Sequence, residues 1–312
     1  MEPPLDREVQ DYALEDGASC RDLVNQMAQA GGFTATKLAR ARDILRTMIE
    51  DEACTAFLSF PAALMATGCR GVLRDLVRRE MVDIVVTTCG TLDHDLARTA
   101  DAYYHGAFSM DDAALHAAGV FRLGNVLVPS QAYGTGLERT LRAFFQGLWD
   151  EGERKLSGWK LLELAGERLG DESSLLYWCA RRSVPVVVPA LTDGAFGYQL
   201  WSFWQEHPAF LVDAMEDETL LSDRVFASER SGALVIGGGV SKHHVLWWNQ
   251  FRDGLDYAVY LTTAVEHDGS LSGARLREAV SWGKVAVGAQ RVTVEGDASV
   301  LLPLLYASLA ED

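Results

Sequence analysis

The chain has 312 residues, of which 48% are hydrophobic, and its formal net charge is −16 at pH 7. This apolar content is enough for one large core or two smaller ones and excludes a disordered chain. The acidic balance argues against binding to nucleic acid or to anionic membrane, because phosphate groups need clustered Lys and Arg. A basic protein partner or a cationic small substrate fits the charge, although acidity can also serve solubility alone.

Five cysteines occur, an odd number, and no Cys-x-x-Cys pair is present. We therefore expect neither a disulfide framework nor a metal site, and we expect a reducing, cytoplasmic location. The N-terminal region lacks a basic segment followed by an apolar run, so we expect no signal peptide. No stretch reaches the ~18 consecutive apolar residues of a membrane-spanning helix, so we expect no membrane partner.

Apolar residues recur at helical spacing in some segments and form short buried runs in others, which predicts alternating helices and strands. An acidic arm at 1–19 comes first. The predicted strands are 54–60, 82–88, 122–128, 184–191, 232–236 and 257–263, with a β-like run at 285–287. The predicted helices are 20–30, 36–49, 63–79, one after 89–95, 137–149, 161–169, 175–182, 195–207, 245–251, 276–280 and 298–309. Thr34 or Thr36 is a candidate cap for the second helix. The prolines of 184–191 favour the ends of that run or an irregular edge.

This alternation predicts a single-domain α/β fold, with a doubly wound, mostly parallel, Rossmann-like sheet and helices on both faces. In such a sheet, ligands bind beyond the carboxyl ends of the strands. Small, hydroxyl-bearing and acidic residues follow four predicted strands, at 87–90, 192–194, 237–239 and 263–266. We therefore expect a nucleotide to lie at this edge.

The triple glycine 237–239 is the strongest local phosphate signal, because backbone amides approach a diphosphate closely where no side chain intrudes. It is not a full Gly-x-Gly-x-x-Gly fingerprint, since the sixth position is Lys242, and a plain tight turn explains it equally well. His243 and His244 follow, each a candidate general base or a structural histidine. Asp193 is a candidate partner of a ribose hydroxyl or an amine, or it forms an Asx turn or caps the next helix.

The C-terminal block 272–284 places Lys284 just after a Trp-Gly turn that ends a short helix. A lysine in a dry aromatic pocket loses its hydration, which favours the neutral amine that attacks an imine or carbonyl. A solvated surface lysine is the alternative that spacing alone leaves open. Trp282, Trp247 and Trp248 can wall a cation site by cation–π attraction or belong to the core.

Several segments together resemble the deoxyhypusine synthase family. They are 32–36, 83–95, 122–129, 189–194, 237–244, 253–260, 266–270, 272–275 and 278–284. The block Glu-Ala-Val-Ser-Trp-Gly-Lys at 278–284 is highly specific, and the run Thr-Thr-Cys-Gly-Thr-Leu-Asp-His-Asp at 87–95 resembles the archaeal or bacterial branch. The resemblance divides the chain into an N-terminal arm and first helix at 1–30 and an NAD-binding catalytic domain at 31–312.

The resemblance implies a redox-neutral amine transfer with NAD as cofactor and a homotetramer whose sites form between paired subunits. The aminobutyl group of spermidine would pass as an imine to Lys284 and then to a lysine of the translation factor 5A precursor, and 1,3-diaminopropane would leave. The family pattern gives His243 the acid–base role. It implies substrate binding by Asp193, His243, Glu278, Trp282, Gly269 and Ser270, and NAD binding by Thr88, Cys89, Gly90, Asp193, Gly238, Thr263, Ala264, Asp297 and Ala298.

The chain departs from the eukaryotic family pattern in the amine pocket. Tyr198 and Leu271 stand where that pattern has aspartates, Trp247 replaces an asparagine, and His94 replaces a glutamate. Each lost charge-assisted contact weakens the grip on a tri-cation by about 1.5–3 kcal/mol. An alternative function is therefore transfer of the aminobutyl group to free putrescine, as in homospermidine synthesis. A third is a catalytically silent binding protein, against which the intact nucleophile argues.

Overall fold

The computed structural model describes residues 7–310 and has a central sheet of six parallel strands with helices on both faces. The strands are β1 Cys54–Ser59, β2 Ile84–Val86, β3 Tyr104–His105, β4 Val120–Leu123, β5 Val126–Pro129, β6 Lys155–Ser157, β7 Val186–Val187, β8 Leu211–Asp213, β9 Arg230–Ile236, β10 Leu255–Thr262 and β11 Val285–Glu295. The α-helices are α1 Cys20–Gln29, α2 Ala35–Glu50, α3 Cys69–Arg78, α4 Cys89–Ala100, α5 Asp112–Ala117, α6 Leu137–Asp150, α7 Gly158–Glu167, α8 Leu175–Arg181, α9 Ala195–Glu206, α10 Ala214–Ala227, α11 Val240–Asn249, α12 Leu276–Ser281 and α13 Ala298–Ala310.

The strand order of the central sheet is β11-β10-β9-β1-β2-β7, and every neighbouring pair is parallel. From β1 the chain first extends the sheet through β2 to β7, and later extends the other side through β9, β10 and β11. The order therefore reverses between β1 and β9, which makes the crevice between their carboxyl ends the expected ligand site. The predicted doubly wound, mostly parallel fold is confirmed.

Each face of the sheet has its own core, because successive strand residues point to opposite sides. On one face, Leu58 and Leu234 pack with residues of α2, α3, α4 and α13. On the other face, Phe57 and Val235 pack with residues of α10, α11 and α12. The helices α11 and α12, which carry His243 and Glu278, are thus fixed to the same face of the sheet.

The predicted helix 63–79 is wrong as a single element, because it is interrupted between Ala66 and Cys69. A 3-10 turn, Ala62–Ala66, precedes α3. Between them Thr67 is extended, and its hydroxyl donates to the carbonyl of Leu64 and accepts from the backbone N–H of Cys69. This side-chain bonding competes with the helix, which is common for Thr.

The predicted strand 122–128 is also wrong as one element, because Gly124 turns the chain at a φ of +60°. The segment forms the hairpin β4–β5, which joins β3 in a separate three-stranded sheet. Glycine takes this left-handed conformation without the steric cost that other residues meet. The hairpin therefore lies outside the sheet that builds the predicted nucleotide edge.

Other elements differ in extent or were not predicted. The helix expected at 245–251 begins at Val240, directly after the glycine turn, and the β-like run at 285–287 extends to Glu295. The sequence pattern did not reveal α10 or the small parallel pair β6–β8. The strand at 184–191 shrinks to the two residues of β7 at the sheet edge, as its prolines predicted.

Residues 7–19 lie along α1 without helix or strand of their own. Arg7 donates to the carbonyl of Ala28, and Gln26 bonds both backbone groups of Ala13. Thr34 occupies the cap position of α2 but its side chain makes no capping hydrogen bond. The division at residue 30 stays a prediction.

Candidate active site

The predicted cofactor residues all follow carboxyl ends of strands in the central sheet. Thr88, Cys89 and Gly90 follow β2, Asp193 follows β7, Gly238 follows β9, Thr263 and Ala264 follow β10, and Asp297 and Ala298 follow β11. Because the strands are parallel, these segments share one edge of the sheet. The structure therefore brings the predicted nucleotide residues to one crevice.

Close contacts join neighbouring segments across this crevice. If Gly90 carried a methyl side chain, that carbon would lie 2.9 Å from the side chain of Ala62. A methyl group on Gly237 would lie 3.3 Å from the ring of Pro61. At Gly194 it would lie 2.8 Å from the sulfur of Cys89. These glycines are needed because no side chain fits where the segments approach each other.

The glycine turn after β9 has the geometry of an anion-binding loop. Gly237 and Gly239 have φ angles of +66° and +79°, and α11 begins at the next residue. Space beside Gly239 is open, and the hydroxyl of Ser241 is buried without a hydrogen-bond partner among the described residues. The N–H groups at the start of a helix attract a phosphate, so the turn fits a diphosphate.

Three of the predicted cofactor residues use their side chains within the protein. The hydroxyl of Thr88 accepts from the backbone N–H of Ala62. Cys89 is buried, which raises the pKa of its thiol to about 12, so only its backbone can serve a ligand. Asp297 uses its carboxylate to accept from the backbone N–H of Ser299 at the start of α13.

Asp193 is exposed and does not cap the following helix. The carboxylate of Asp93 takes that task, since it accepts from the backbone N–H groups of Ala195 and Phe196 at 2.9 and 2.7 Å. Among the described residues, the Asp193 side chain makes no hydrogen bond or ion pair. Its carboxylate is therefore left for a ligand.

Besides the nucleotide crevice, the structure has a cavity of about 200 Å³ that surrounds the predicted nucleophile, Lys284. Its lining residues are Lys242, Leu246, Leu271, Ala274, Arg275, Leu276, Glu278, Ala279, Trp282 and Lys284. Three predicted catalytic or substrate residues, Glu278, Trp282 and Lys284, thus share one cavity. We call it the lysine cavity.

Lys284 is half-buried between two indole rings. Its Nζ lies 5.3 Å from the ring centre of Trp282 and 5.9 Å from that of Trp247. Within residues 7–310 no carboxylate lies within ion-pair distance of this nitrogen. Trp282 is 67% exposed, so this chain alone does not form the dry pocket that the sequence suggested.

His243 lies on the first turn of α11 and faces the same group. Its ring is stacked on Trp247 at a centroid distance of 5.9 Å and an interplanar angle of 24°. Burial lowers the pKa of His243, and the nearby charge of Lys284 lowers it further. The imidazole is therefore neutral at pH 7 and can accept a proton.

His244 and Trp248 point away from this group. The Nε2 of His244 lies 3.3 Å from a carboxylate oxygen of Glu218, and the indole N–H of Trp248 donates to the other oxygen at 2.7 Å. His243 and Trp247 therefore fit the alternatives of a general base and a wall of a cation site. His244 and Trp248 fit the alternatives of a structural histidine and a core residue.

Gly269 and Ser270 lie outside the lysine cavity. Both are exposed on the loop before α12, where Ser270 donates from its backbone N–H to Asp268. The next residue, Leu271, does line the cavity. The structure therefore does not bring these two predicted substrate residues into the lysine cavity.

Lys242 is a buried cation of the lysine cavity that sequence reasoning missed. Its side chain is 1% exposed, and its Nζ donates to the carbonyls of Leu271 and Ala274 at 2.7 Å each. The same nitrogen lies 3.7 Å from the ring centre of Tyr260. Burial and the charge of Arg275 lower the pKa of Lys242 to about 7. Lys242 thus ties α11 to the loop that leads into α12.

The lysine cavity and the nucleotide crevice are separate within one chain. Lys284 precedes β11, whose first residue pairs with Leu255, whereas the cofactor residues follow the opposite ends of β10 and β11. The strand has eight residues from Leu255 to Thr262, and the steps between them span roughly 23 Å at about 3.3 Å per residue. Within the described residues, no hydrogen bond or ion pair joins Lys284 to the predicted cofactor residues.

The family model described as deoxyhypusine synthase matches residues 22–309. The chain belongs to the deoxyhypusine synthase family. It is therefore a transferase of that family, and the resemblance found in its motifs is confirmed.

Archaeal members of the family are similar over nearly the whole chain. A probable deoxyhypusine synthase of Thermoplasma acidophilum is 48% identical over 306 residues, covering 97% of both chains. One from Ignicoccus hospitalis is 47% identical, covering 96% of this chain and 95% of the relative. The predicted archaeal or bacterial branch is thus confirmed.

The fold also matches a solved structure described as a putative deoxyhypusine synthase of Entamoeba histolytica. The TM-score is 0.68, with 24% identity and 96% coverage of each chain. At this identity the likeness concerns the fold alone. It supports the single-domain α/β fold with a mostly parallel central sheet.

The four positions that depart from the eukaryotic family pattern lie in different places. Leu271 lines the lysine cavity, and Trp247 stands at its edge. Tyr198 is exposed on α9, where its ring packs against Trp201 at 5.8 Å. His94 is half-buried on α4 with Nδ1 3.0 Å from the hydroxyl of Tyr103, and burial lowers its pKa to about 4. His94 is therefore neutral.

Within residues 7–310, no helix is long and apolar enough to cross a membrane. The same part of the chain contains no group of three or more His, Cys, Asp or Glu side chains that is arranged to hold a metal ion.

Proposed function

We propose that this chain transfers the aminobutyl group of spermidine, through an imine on Lys284, to a lysine of the translation factor 5A precursor. The observation that carries the proposal is the grouping of Lys284, Trp282 and Glu278 in one cavity, with His243 beside it. This set provides a nucleophilic amine, an aromatic wall for a cation, a carboxylate and a base. Family membership supports the same reaction.

Lys284 is the proposed nucleophile. Its Nζ attacks the imine carbon of the oxidised donor, the carbon–nitrogen bond to 1,3-diaminopropane breaks, and the aminobutyl group stays on Lys284 as an imine. The acceptor amine then attacks the same carbon and releases Lys284. Trp282 and Trp247 favour a cationic amine over their ring faces, which attracts the donor to this place, and Lys284 gives up its own proton before it attacks.

His243 is the proposed proton acceptor. Removal of a hydride from an amine carbon requires that the amine nitrogen lose a proton, and a neutral imidazole takes it. The lowered pKa of His243 keeps the ring neutral at physiological pH. Glu278 pairs with an amine end of the donor, as its place in the lysine cavity allows.

NAD is the proposed cofactor, and the crevice residues fit it. The turn at Gly238 and Gly239 offers backbone N–H groups to the diphosphate, and the carboxylate of Asp193 is left for a hydroxyl or an amine. When bound, NAD would accept the hydride from the donor and return it to the final imine. Thr263, Ala264, Asp297 and Ala298 would hold the rest of the dinucleotide at the ends of β10 and β11.

A second copy of the chain is proposed to complete the site. The backbone at Lys284 lies at the amino end of the β10–β11 ladder, away from the crevice of its own chain. Trp282 and Tyr198 are both largely exposed. Packing of one copy's lysine cavity against the partner's crevice would bring nucleophile and cofactor together and exclude water from the imine. The homotetramer of the family pattern supports this arrangement.

Putrescine is the alternative acceptor. The specific observation is that Leu271 lines the lysine cavity where the eukaryotic pattern has an aspartate, which weakens the hold on a long polycation. The names of the archaeal relatives favour the protein acceptor.

An acceptor competition decides between the two. The chain is incubated with NAD and spermidine labelled in the aminobutyl group, together with the factor 5A precursor and putrescine. We expect the label on the precursor protein. Label found on putrescine as homospermidine, with none on protein, would replace the first function by the second. Label on neither acceptor, with spermidine unchanged, would refute both.

A further inference from the structure

A cluster of basic side chains lines a cavity next to the lysine cavity. The cavity has a volume of about 360 Å³. Its charged residues are Lys37, Arg40, Arg275, Arg277, Arg291 and Glu295. We call it the basic pocket. Arg275 and Leu276 line both cavities and form the wall between them.

The basic pocket keeps an excess of positive charge after its ion pairs are counted. Lys37 pairs with Glu295 at 2.6 Å, and Arg275 and Arg277 share Glu266 at 3.3 and 2.6 Å. Two arginines, Arg40 and Arg291, have no carboxylate partner among the described residues. Five cations against two carboxylates leave a local charge of about +3 on a chain whose net charge is −16.

Two polar features at the pocket lack partners. One terminal nitrogen of Arg275, Nη1, is buried without a hydrogen-bond partner within the described part of the chain. The N-terminus of α2 reaches the pocket through Thr36 and Lys37, and Thr34 at its cap position provides no side-chain bond to the backbone N–H groups. Uncapped helix N–H groups favour an anion.

We propose that the basic pocket binds a small, multiply charged anion of the phosphate class. Guanidinium groups form paired hydrogen bonds with phosphate oxygens, and the start of α2 adds N–H donors and its dipole. The acidic surface elsewhere repels anions, so the affinity must come from this local group of cations.

The pocket is distinct from the proposed nucleotide crevice. None of its residues follows the glycine turn or belongs to the predicted cofactor set. The proposal therefore does not depend on the proposed reaction. A chain with no transferase activity would still bind phosphate here, and an active enzyme that binds no phosphate would refute only this inference.

Calorimetry on the full-length protein tests the proposal, with inorganic phosphate, diphosphate and ADP as separate titrants. Diphosphate is expected to bind more tightly than phosphate. Binding of ADP would identify the anion as the phosphate group of a nucleotide, and its absence would identify a free phosphate anion. The double variant Arg40→Gln/Arg291→Gln should weaken diphosphate binding by at least about tenfold, because two charge-assisted contacts are lost. The control is Arg46→Gln, on α2 but outside the pocket lining, which should bind as the wild type does.

Because the glycine turn also fits a diphosphate, the titrations are made with the crevice saturated with NAD, and diphosphate should still bind to the basic pocket. Loss of diphosphate binding on saturation with NAD would overturn the proposal, since the anion would then occupy only the crevice. Equal binding by the wild type and the double variant, or no heat with any of the three titrants, would also overturn it. Because Arg277 is largely exposed, Arg277→Gln serves as a second variant if the double variant fails to fold.

Discussion

The side-chain nitrogen of Lys284 lies 5.9 Å from the ring centre of Trp247, and His243 stacks on the same ring one helical turn earlier. One indole therefore connects the proposed nucleophile with the proposed base. The Trp247 ring offers a face that attracts cations to both groups.

Replacement of Trp282 should weaken donor binding. Trp282→Ala removes one ring face and is expected to raise the KM for spermidine by about 2- to 30-fold, the equivalent of about 0.5–2 kcal/mol. Trp282→Phe should recover part of the loss, because a ring face is kept. Phe226→Ala, which removes an exposed ring on α10, is the control. An unchanged KM in steady-state kinetics of Trp282→Ala would rule out this role.

The pKa of His243 should depend on Lys284. Burial is the larger cause of its lowered pKa and the charge of Lys284 is the smaller. In Lys284→Met the pKa should therefore rise toward the ordinary value of about 6.5 but remain below it. NMR titration of the imidazole measures this, with the exposed His116 as an internal control. A pKa that stays constant or falls would show that the two groups do not interact.

Lys242 should give the protein a specific dependence of stability on pH. Its pKa is lowered from 10.5 to about 7 in the folded state, so the unfolded chain binds more protons between these values. The penalty for burying the ammonium is complete below pH 7 and disappears as the pH rises toward 10.5. The two carbonyl acceptors and the Tyr260 ring oppose this penalty.

Denaturant unfolding of Lys242→Met and the wild type at pH 7, 8 and 9 tests this dependence. The free energy of unfolding of the wild type should increase with pH relative to that of the variant, by up to about 1.4 kcal/mol per pH unit. For Lys160→Met, which removes a more exposed lysine on α7, the free energy of unfolding should change with pH as it does in the wild type. The same pH dependence in Lys242→Met and the wild type would contradict the assigned burial effect.

Gly238 should tolerate no side chain. In Gly238→Ala the new methyl group would lie 2.1 Å from the hydroxyl oxygen of Ser272 and 2.5 Å from its Cα, so the backbone must move. Such overpacking costs about 1–3 kcal/mol, and we expect a loss of NAD affinity and a lower melting temperature. Gly68→Ala meets no atom within 4 Å and is the control. Equal NAD affinity of both variants would show that the glycine turn is not used.

The sequence allowed the sheet and the strand-end crevice to be predicted, because apolar runs and the glycine turn carry local signals. The family-specific block pointed to Lys284, which the structure places in one cavity with Glu278 and Trp282, and its role as nucleophile stays a prediction. Contacts between segments that are distant in the sequence could not be predicted, because they leave no local pattern. Nothing in the pattern indicates that Lys242 reaches the carbonyls of Leu271 and Ala274, or that Asp93 rather than Asp193 caps α9.

The errors also have local causes. Side-chain hydrogen bonds of Thr67 interrupt a helix that its apolar spacing predicts, and Gly124 turns a segment whose composition suits one strand. The helix α10 carries several acidic residues, which conceal its apolar face. In each case one or two residues, or a tertiary contact, outweigh the periodic pattern.

Mass spectrometry of the trapped intermediate tests the central claim most directly. The protein is incubated with NAD and spermidine and then reduced with borohydride, which converts an imine into a stable amine. We predict one added aminobutyl group on Lys284 and none in Lys284→Arg. The same mass on another residue, or its formation in Lys284→Arg, would contradict the assignment of Lys284 as the nucleophile.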